Sequence, residues 1–297
     1  MTDLELKEYL FQRRSLIDQA LEAYLPPADE YPGPLHEAMR YSVFAGGKRL
    51  RSILTLAAAE AVGGQAEGAL AVAAAIELIH TYSLIHDDLP AMDDDDLRRG
   101  KPTCHRVYGE AIAILAGDSL LTHAFALLSD EKLSLNPAKQ MALIKEIAGA
   151  AGTRGMLGGQ AVDILSEDQE IEPATLEYLH THKTGSLIRA ALLAGGIVAG
   201  ASEGKLAALS MYGEKIGLAF QIVDDVLDIE GKAEELGKSP GSDKKKKKAT
   251  YPALIGLSES KQRARELIAE AKEALVQFGE RGEVLRALAD YILRRQA

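Results

Sequence analysis

The densest group of charged residues in this sequence is an acidic run that follows an apolar segment. Six aspartates stand in the ten positions from Asp87 to Asp96. Carboxylates crowded in this way repel one another, and their oxygens are the ligands that Mg²⁺ and Ca²⁺ prefer. Since Pro90 should end the preceding helix and let Asp93 fold back toward Asp87, the run can surround a cation. A solvated acidic loop is the alternative interpretation.

The residues around this run favour a metal-bridged phosphate site over a solvated loop. Glu77, His80 and Leu84 precede Asp87 at helical spacing and share one helix face with it. Arg98 and Arg99 follow the run, and the planar guanidinium of arginine matches the oxygens of a phosphate. An EF-hand is disfavoured, because the alternating aspartates, central glycine and terminal glutamate of that motif are missing.

A second acidic cluster ends another helical stripe about 130 residues later, at Asp224, Asp225 and Asp228. Asp224 and Asp228 are four residues apart and therefore share a helix face, which Gln221 extends toward the N-terminus. A surface acidic turn would explain this cluster if it stood alone. If the two helices face each other, however, their acidic ends form the mouth of an apolar cavity that suits a diphosphate head and a hydrocarbon tail.

The elements that must position these clusters are helices. Apolar residues make up 47% of the 297 residues and aromatic residues only 5%, and the apolar positions recur at the helical period. The segments 69–86 and 111–128 are apolar on most faces, which predicts that both are buried. Without a linker or an internal repeat, the sequence predicts one all-α domain over residues 1–297, a bundle of roughly ten or more helices.

The charge and cysteine content exclude several functional classes. A formal net charge of −10 provides no basic field to attract nucleic acid. A single cysteine, Cys104, rules out an internal disulfide and fits a reducing compartment. Residues 1–14 lack the apolar core of a signal peptide, and the uncharged stretch 190–202 is too short to span a bilayer. We expect a soluble, cytoplasmic protein.

Taken together, the motifs closely resemble those of the trans-prenyltransferases, specifically bacterial-type farnesyl diphosphate synthases and their geranylgeranyl relatives. Asp87-Asp88-Leu-Pro-Ala-Met-Asp93 is similar to the first aspartate-rich motif of that family, and Asp224-Asp225-Val-Leu-Asp228 to the second. The resemblance covers about 41–257 and implies the isoprenoid synthase fold, helices around a central apolar cavity. It also implies about three Mg²⁺ ions per site, bound by Asp87, Asp93 and Asp224.

The resemblance further implies the groups that hold and activate the substrates. The implied isopentenyl diphosphate site consists of Lys48, Arg51, His80 and Arg99. The implied allylic diphosphate site consists of Arg98, Lys183, Thr184, Gln221, Lys238 and Lys248. The implied catalytic group consists of Asp87, Asp88, Asp93, Arg98, Lys183, Asp224 and Lys238. Gly159-Gln160-Ala-Val-Asp163 is similar to the mid-chain motif of the family.

Two positions depart from the family pattern. Ser52 stands where the family usually has proline, and the unusually basic run Lys244 to Lys248 makes the choice of Lys248 a matter of register. Neither change removes a chemical group that the reaction needs.

The implied activity is Mg²⁺-dependent, head-to-tail condensation of isopentenyl diphosphate with dimethylallyl or geranyl diphosphate, and a homodimer is expected. Tyr82 lies five residues before Asp87, roughly 7.5 Å along a helix. With Ser83 it resembles the pattern that accompanies a C15 product, since an aromatic ring can block the growing chain. A simple core aromatic is the other interpretation of Tyr82, and a C20 product is the alternative outcome.

Three other classes remain as alternatives. A terpene cyclase shares the ionising metal site but needs no isopentenyl pocket, so Lys48, Arg51 and Arg99 argue against it. A non-catalytic partner subunit of a prenyltransferase tends to lose aspartates from one cluster, and both clusters are intact here. An acidic Ca²⁺-binding module lacks the EF-hand spacing.

Overall fold

The computed structural model describes residues 1–167, 169, 171–230 and 250–294, and these form an all-α domain. The N-terminal half contains α1 (Asp3–Tyr24), α2 (Gly33–Val43), α3 (Leu50–Val62), α4 (Leu70–Asp87), α5 (Cys104–Tyr108) and α6 (Glu110–Ser129). The C-terminal half contains α7 (Pro137–Ala151), α8 (Met156–Leu165), α9 (Pro173–Leu179), α10 (Ser186–Val198), α11 (Glu203–Glu230), α12 (Tyr251–Ile255), α13 (Leu257–Ala274) and α14 (Glu283–Arg294). The predicted bundle of ten or more helices is confirmed.

Short segments of other structure connect the helices. Turns of 3₁₀-helix occupy Ala66–Ala69, Glu131–Leu133 and Val276–Gly282, and a π-helical segment occupies His180–Gly185. Strands β1 (Leu97–Arg98) and β2 (Lys101–Pro102) form a two-residue antiparallel hairpin. Its two central residues have the positive φ that such tight turns require, 53° at Arg99 and 76° at Gly100.

The core of the bundle is made by long helices whose inward-facing residues are mostly apolar. Helix α4 packs against α3 and α6, while α10 lies between α3 and α11, and α11 also packs against α13. Alanine and leucine dominate the buried positions of α3 and α10. Small side chains let these helices approach closely, and the acidic ends of α4 and α11 are thereby held at fixed positions around one cavity.

Two helical segments are long and apolar enough to cross a membrane by length and composition alone, Ala66–Asp87 and Glu110–Ser129. The first is 67% buried within the protein, so core packing explains its hydropathy. The prediction that 111–128 is buried was wrong, because only 33% of that segment is buried. Helix α6 lies on the outside of the bundle with one side against α4, and an apolar composition does not reveal which faces have a neighbour.

Candidate active site

A cavity of about 720 Å³ lies between α3, α4, α10 and α11, within the size range of small-molecule sites. Its wall brings together residues that are more than 170 positions apart in the sequence, from Lys48 to Asp224. The predicted site residues in this wall are Lys48, Arg51, His80, Arg98, Arg99, Thr184, Gln221 and Asp224. Apolar wall positions include Leu84, Ile188 and Phe220, so the cavity combines charged ends with apolar sides.

The first aspartate-rich motif folds back on the end of α4, as Pro90 predicted. Asp87 is the last residue of α4, and the backbone N–H of Asp93 donates to its carbonyl oxygen at 2.8 Å. A second bond runs from the backbone N–H of Asp94 to the Leu89 carbonyl at 3.1 Å. This tight return places the side chains of Asp87 and Asp93 close enough to affect each other electrostatically.

The carboxyl group of Asp87 is held at an electrostatically unfavourable position. Burial raises its pKa to about 6; the positive charge of Lys183 opposes this rise, while the negative charge of Asp93 adds to it. Charges from Arg98 and Asp88 have smaller effects of opposite sign. A carboxyl group that resists ionisation beside other carboxyl groups is stabilised by a bound cation.

The acidic residues form an open site rather than a closed metal cage. Among the described residues, no three histidine, cysteine or acidic side chains already lie close enough together to hold a metal ion. Mg²⁺ is commonly held by one or two carboxylates, with water and substrate phosphates completing its octahedron. The donor chemistry of Asp87, Asp93 and Asp224 therefore fits Mg²⁺ that binds together with a diphosphate.

Asp88 has a different role from its neighbour Asp87. It is only 3% exposed, and Nε of Arg98 donates to its two oxygens at 2.7 and 2.9 Å. Burial alone would lower the pKa of the Arg98 guanidinium, but the hydrogen bonds and charge of Asp88 raise it overall. Asp88 thus orients a charged Arg98 in the cavity wall.

The predicted isopentenyl diphosphate residues form a basic group on the other side of the cavity. Gly46 and Gly47 have φ angles of 109° and 130°, and they lead the chain past Arg99, which donates to the carbonyl oxygen of Gly46. The φ of Gly47 favours glycine, and a Cβ atom there would displace the guanidinium of Arg99, whose Nη1 would lie only 2.5 Å away. Lys48 follows and is exposed at the cavity wall.

Arg51 and His80 form the deepest part of the basic group. Nη1 of Arg51 donates to Nε2 of His80 at 3.3 Å. Burial lowers the pKa of His80 well below its usual value, and the charges of Arg51 and Arg99 lower it further, so the ring is a neutral acceptor. Nε of Arg51 is buried without a hydrogen-bond partner among the described residues. A buried donor of this kind requires an acceptor, and a diphosphate oxygen would provide one.

A buried network that the sequence analysis did not identify supports this basic group. Arg49 is the N-cap residue that precedes α3, with a φ of 52°, and it is 4% exposed. It donates to Asp18 at 2.8 Å and to Glu77 at 3.0 Å. Ser52, the position that departs from the family pattern, lies with its hydroxyl 2.8 Å from the other oxygen of Glu77. The network fixes the backbone between Lys48 and Arg51, and the shared face of Glu77 and His80 was its only signal in the sequence.

Lys183 and Thr184 lie on the π-helical segment between α9 and α10. Nζ of Lys183 is 2.5 Å from Oδ2 of Asp163, which belongs to the mid-chain motif on α8. A Cβ atom at Gly159 would lie 2.1 Å from the backbone nitrogen of Lys183. The glycine of that motif therefore allows α8 to touch the π-helical segment, and Asp163 orients the lysine there.

In the second aspartate-rich motif, as in the first, neighbouring aspartates have different surroundings. Asp224 and Gln221 lie in the cavity wall, whereas Asp225 and Asp228 are each 5% exposed. Oδ2 of Asp225 accepts from the backbone N–H of Tyr251 at 2.9 Å. Lys238 and Lys248, which the resemblance assigned to the allylic site, lie outside the described residues.

Tyr82 is buried on the side of α4 that faces α6, with 4% exposure, and it does not line the large cavity. Its ring meets that of His86 edge to face at 5.5 Å. Its hydroxyl group has no hydrogen-bond partner among the described residues. Ser83 donates to the carbonyl oxygen of His80 at 2.8 Å, so its hydroxyl is used within the helix.

The sequence is similar to those of known proteins along nearly the whole chain. The profile of the polyprenyl synthetase family matches residues 32–288. A farnesyl diphosphate synthase of Escherichia coli K12 is 48% identical over 284 residues, 94% of this chain and 95% of that protein. A geranylgeranyl diphosphate synthase of Cyanophora paradoxa is 46% identical over 297 residues, 99% of this chain and 98% of that protein.

Solved structures give the same result. The crystal structure of an apo FPP/GFPP synthase from Zymomonas mobilis has a TM-score of 0.88 at 39% identity and covers 98% of this chain and 100% of that one. A geranylgeranyl pyrophosphate synthetase from Pyrococcus horikoshii has a TM-score of 0.89 at 33% identity and covers 98% of both chains. With its two acidic helix ends and its basic group around one cavity, this chain belongs to the polyprenyl synthetase family and is a trans-prenyltransferase.

Proposed function

We propose that the enzyme condenses isopentenyl diphosphate head to tail with dimethylallyl diphosphate and then with geranyl diphosphate, giving (2E,6E)-farnesyl diphosphate and pyrophosphate. One observation supports this proposal: two separate groups of charged residues, each suited to a diphosphate, lie in or beside one cavity. Arg51 and His80 belong to one site, and Asp87, Lys183 and Asp224 belong to the other. A reaction that joins two diphosphates needs two such sites, whereas a terpene cyclase needs only one.

The basic group is the proposed site of isopentenyl diphosphate. It contains Lys48, Arg51, His80 and Arg99, and the carboxylate of Glu77 in the same wall is already bound by Arg49 and Ser52. Direct contact with cationic side chains suits a diphosphate that must remain intact during the reaction. This arrangement supports a site that binds the diphosphate of isopentenyl diphosphate without activating it as a leaving group.

The acidic side is the proposed site of the allylic diphosphate, with Arg98, Lys183, Thr184 and Gln221 as its direct contacts. Its family uses Mg²⁺ for catalysis, and we propose about three ions held by Asp87, Asp93 and Asp224. Bound Mg²⁺ supplies positive charge that neutralises the diphosphate and improves it as a leaving group. Lys238 and Lys248 complete the proposed contact set from outside the described residues.

The residues of the chain itself account for the rest of the reaction. Arg98 and Lys183 donate to the departing diphosphate as negative charge develops on its oxygen. Breakage of the C–O bond leaves an allylic cation, and apolar wall residues such as Leu84 and Phe220 keep water away from it. The basic group holds isopentenyl diphosphate with its double bond toward the cation. The new C–C bond forms, and the released pyrophosphate accepts the proton that is lost.

We propose a C15 product, with a C20 product as the second candidate because relatives named for geranylgeranyl diphosphate match as well as those named for farnesyl diphosphate. Support for C15 comes from Tyr82, a bulky buried side chain at the end of α4. Its ring would stop a hydrocarbon chain that grows between α4 and α6.

Replacing Tyr82 tests the length limit directly. Tyr82→Ala removes the ring and should shift the main product from C15 to C20. Tyr82→Phe is the matched control: it retains the ring but removes a hydroxyl group that is buried without a partner, so it should keep the C15 product and leave the melting temperature unchanged or slightly higher. An unchanged product length in Tyr82→Ala would show that Tyr82 does not limit the length of the product.

We further propose that the enzyme is a cytoplasmic homodimer. Support comes from α6, where Ile114 and Leu115 are 42% and 50% exposed on an apolar helix. An apolar surface of this kind commonly forms a protein interface. Sedimentation at micromolar concentration measures the oligomeric state.

The proposed activity is tested by incubating the purified protein with isopentenyl and dimethylallyl diphosphates, with and without Mg²⁺, and measuring product length by mass spectrometry. We expect a Mg²⁺-dependent C15 diphosphate. A C20 diphosphate would retain the reaction and overturn the proposed length. Turnover of geranyl diphosphate without isopentenyl diphosphate would instead indicate a cyclase.

A further inference from the structure

His180 is a buried residue to which neither the sequence motifs nor the proposed reaction gives a role. It begins the π-helical segment and is 4% exposed. Its Nε2 lies 3.1 Å from Oδ2 of Asp225, and since a carboxylate only accepts, Nε2 carries the proton and donates. Its ring stacks on that of Tyr251, with 5.6 Å between the centroids and 18° between the planes.

These contacts are costly for a residue with only a packing role. A buried polar pair must recover the free energy of desolvation through good hydrogen bonds. His180 recovers only part of it, because its Nδ1 is buried without a partner among the described residues. Phenylalanine would fill similar space and stack on Tyr251 without this cost. The hydrogen bond to Asp225 therefore indicates a role for His180 beyond packing.

Asp225 joins two elements of the allylic side to α11. Its Oδ2 accepts from His180 of the π-helical segment and from the backbone N–H of Tyr251, the first residue of α12. The neighbouring residue on α11, Asp224, lies in the cavity wall. The bond between His180 and Asp225 thus connects the helix that carries Asp224 to the segment that carries Lys183 and Thr184.

The π-helical segment needs such a connection. One π turn widens the helix and breaks the usual hydrogen-bond pattern, and such turns occur frequently at functional sites. Lys183 and Thr184 follow His180 by three and four residues, so rotation of the segment about its axis would turn both away from the cavity. Asp163 holds the end of Lys183, and His180 provides a side-chain hydrogen bond from the segment to α11.

We propose that His180 is a positioning residue for the allylic diphosphate. Its hydrogen bond to Asp225 fixes the rotation of the π-helical segment, so that Lys183 and Thr184 face the same ligand as Asp224. This inference rests on the proposed function, because it assigns the ligand of these residues to the allylic substrate. His180 itself touches no substrate and takes no part in bond breaking.

The test compares three variants of the full-length enzyme. His180→Phe retains the stacked ring and loses the donor, whereas His180→Gln replaces the donor near the position of Nε2. Tyr212→Phe is the matched control on α11, because it removes a buried hydrogen bond to the Leu285 carbonyl at 2.6 Å without touching the cavity. Melting temperature, kcat and the KM of each substrate are measured for all three.

We expect His180→Phe to raise the KM of dimethylallyl diphosphate by about tenfold, the effect of one charge-assisted hydrogen bond, and to lower kcat. The KM of isopentenyl diphosphate should change by less than about twofold, because the basic group has no contact with His180. His180→Gln should recover most of the loss. Tyr212→Phe should lower the melting temperature while both KM values stay the same.

Coupling to Lys183 distinguishes positioning from general destabilisation. If His180 acts through Lys183, His180→Phe should have less effect in a Lys183→Ala background than in the wild type. Equal effects in both backgrounds, or equal increases in both KM values, would overturn the inference. Should His180→Phe not fold, Asp225→Leu serves instead, since it removes the acceptor at similar side-chain size; an unchanged allylic KM would then overturn the inference.

A binding measurement separates this inference from the proposed function. If the wild type elongates no allylic substrate, the proposed function fails, and inorganic pyrophosphate with Mg²⁺ becomes the calorimetric probe. His180→Phe should still bind pyrophosphate about tenfold more weakly than the wild type. Equal affinities would overturn the positioning role itself.

Discussion

Replacing Asp87 with asparagine should stabilise the metal-free protein while it removes the activity. Burial and the charge of Asp93 raise the pKa of Asp87 to about 6 from the usual 3.8, against the opposing effect of Lys183. The folded protein therefore holds this proton more tightly than the unfolded chain does. Its stabilising effect is complete below about pH 4 and is lost as the pH rises through 6.

The size of the effect follows from the change in pKa. A difference of about two pKa units corresponds to about 3 kcal/mol of unfolding free energy. Asparagine has the shape of the protonated carboxyl group and does not ionise, so Asp87→Asn should gain up to this amount at pH 8. For a chain of this size, each kcal/mol raises the melting temperature by about 2 °C, which gives about 6 °C in total.

The assay is thermal unfolding in EDTA at pH 8 and at pH 5, followed by the same measurement with Mg²⁺ and pyrophosphate. The advantage of Asp87→Asn should be largest at pH 8 without metal and much smaller at pH 5. With Mg²⁺ and pyrophosphate, the wild type should gain stability that the variant does not. Asp94→Asn is the matched control, because Asp94 is exposed and should change the melting temperature by less than about 1 °C. A lower melting temperature for Asp87→Asn at pH 8 would refute the reasoning.

Two other predictions follow from the site geometry. Gly159→Ala should strongly lower allylic turnover, because its Cβ would lie 2.1 Å from the backbone nitrogen of Lys183. Gly149→Ala is the control and should leave kcat and KM unchanged, because a Cβ there would meet no neighbouring atom within 4 Å. Equal kinetics for the two variants would show that the close contact between Gly159 and Lys183 does not matter for turnover. Binding of isopentenyl diphosphate should be accompanied by proton uptake, since burial and the charges of Arg51 and Arg99 lower the pKa of His80 and a diphosphate would counter the effect of those charges. Calorimetry in buffers of different ionisation enthalpy measures this uptake, and His80→Gln should abolish it.

The sequence predicted the features that depend on local pattern. The helical period of the apolar residues predicted the bundle, and Pro90 predicted the return of the chain that brings Asp93 to Asp87. The second acidic cluster and the paired arginines predicted charged groups at a cavity, and Arg98, Arg99 and Asp224 do lie in the cavity wall. These features are set by residues within a few positions of one another, so no tertiary structure was needed to infer them.

The spacing of the aspartates alone did not distinguish the members of each acidic cluster, and only the family resemblance assigned the metal to Asp87, Asp93 and Asp224. Asp88 and Asp225 are neighbours of Asp87 and Asp224 and have the same chemistry. Asp88 is nevertheless bound to Arg98, and Asp225 is bound to His180 and Tyr251. These partners come from 10 to 45 residues away, and no period in the sequence indicates such contacts.

The network around Arg49 was missed for a related reason. Its position depends on a φ of 52°, which arginine rarely adopts and which no local motif predicts. The exposure of α6 was also mispredicted, because apolar composition indicates that a surface is covered without saying by what. In both cases the deciding fact is a tertiary contact.

On both sides of the site, the environment shifts the pKa of a buried group toward its neutral form. On the acidic side, burial and neighbouring carboxylates raise the pKa of Asp87; on the basic side, burial and neighbouring arginines lower the pKa of His80. Each group is less stable in its charged form than it would be in water, because burial removes its hydration and groups of the same charge lie nearby. A bound cation would stabilise the charged form of Asp87, and a bound diphosphate would stabilise the charged form of His80. The folded protein therefore binds each ligand beside a group whose charged form is otherwise unfavourable. Stability that the empty enzyme lacks is thereby recovered when its substrates bind, and for this reason neutralising Asp87 should stabilise the protein and abolish its activity in the same variant.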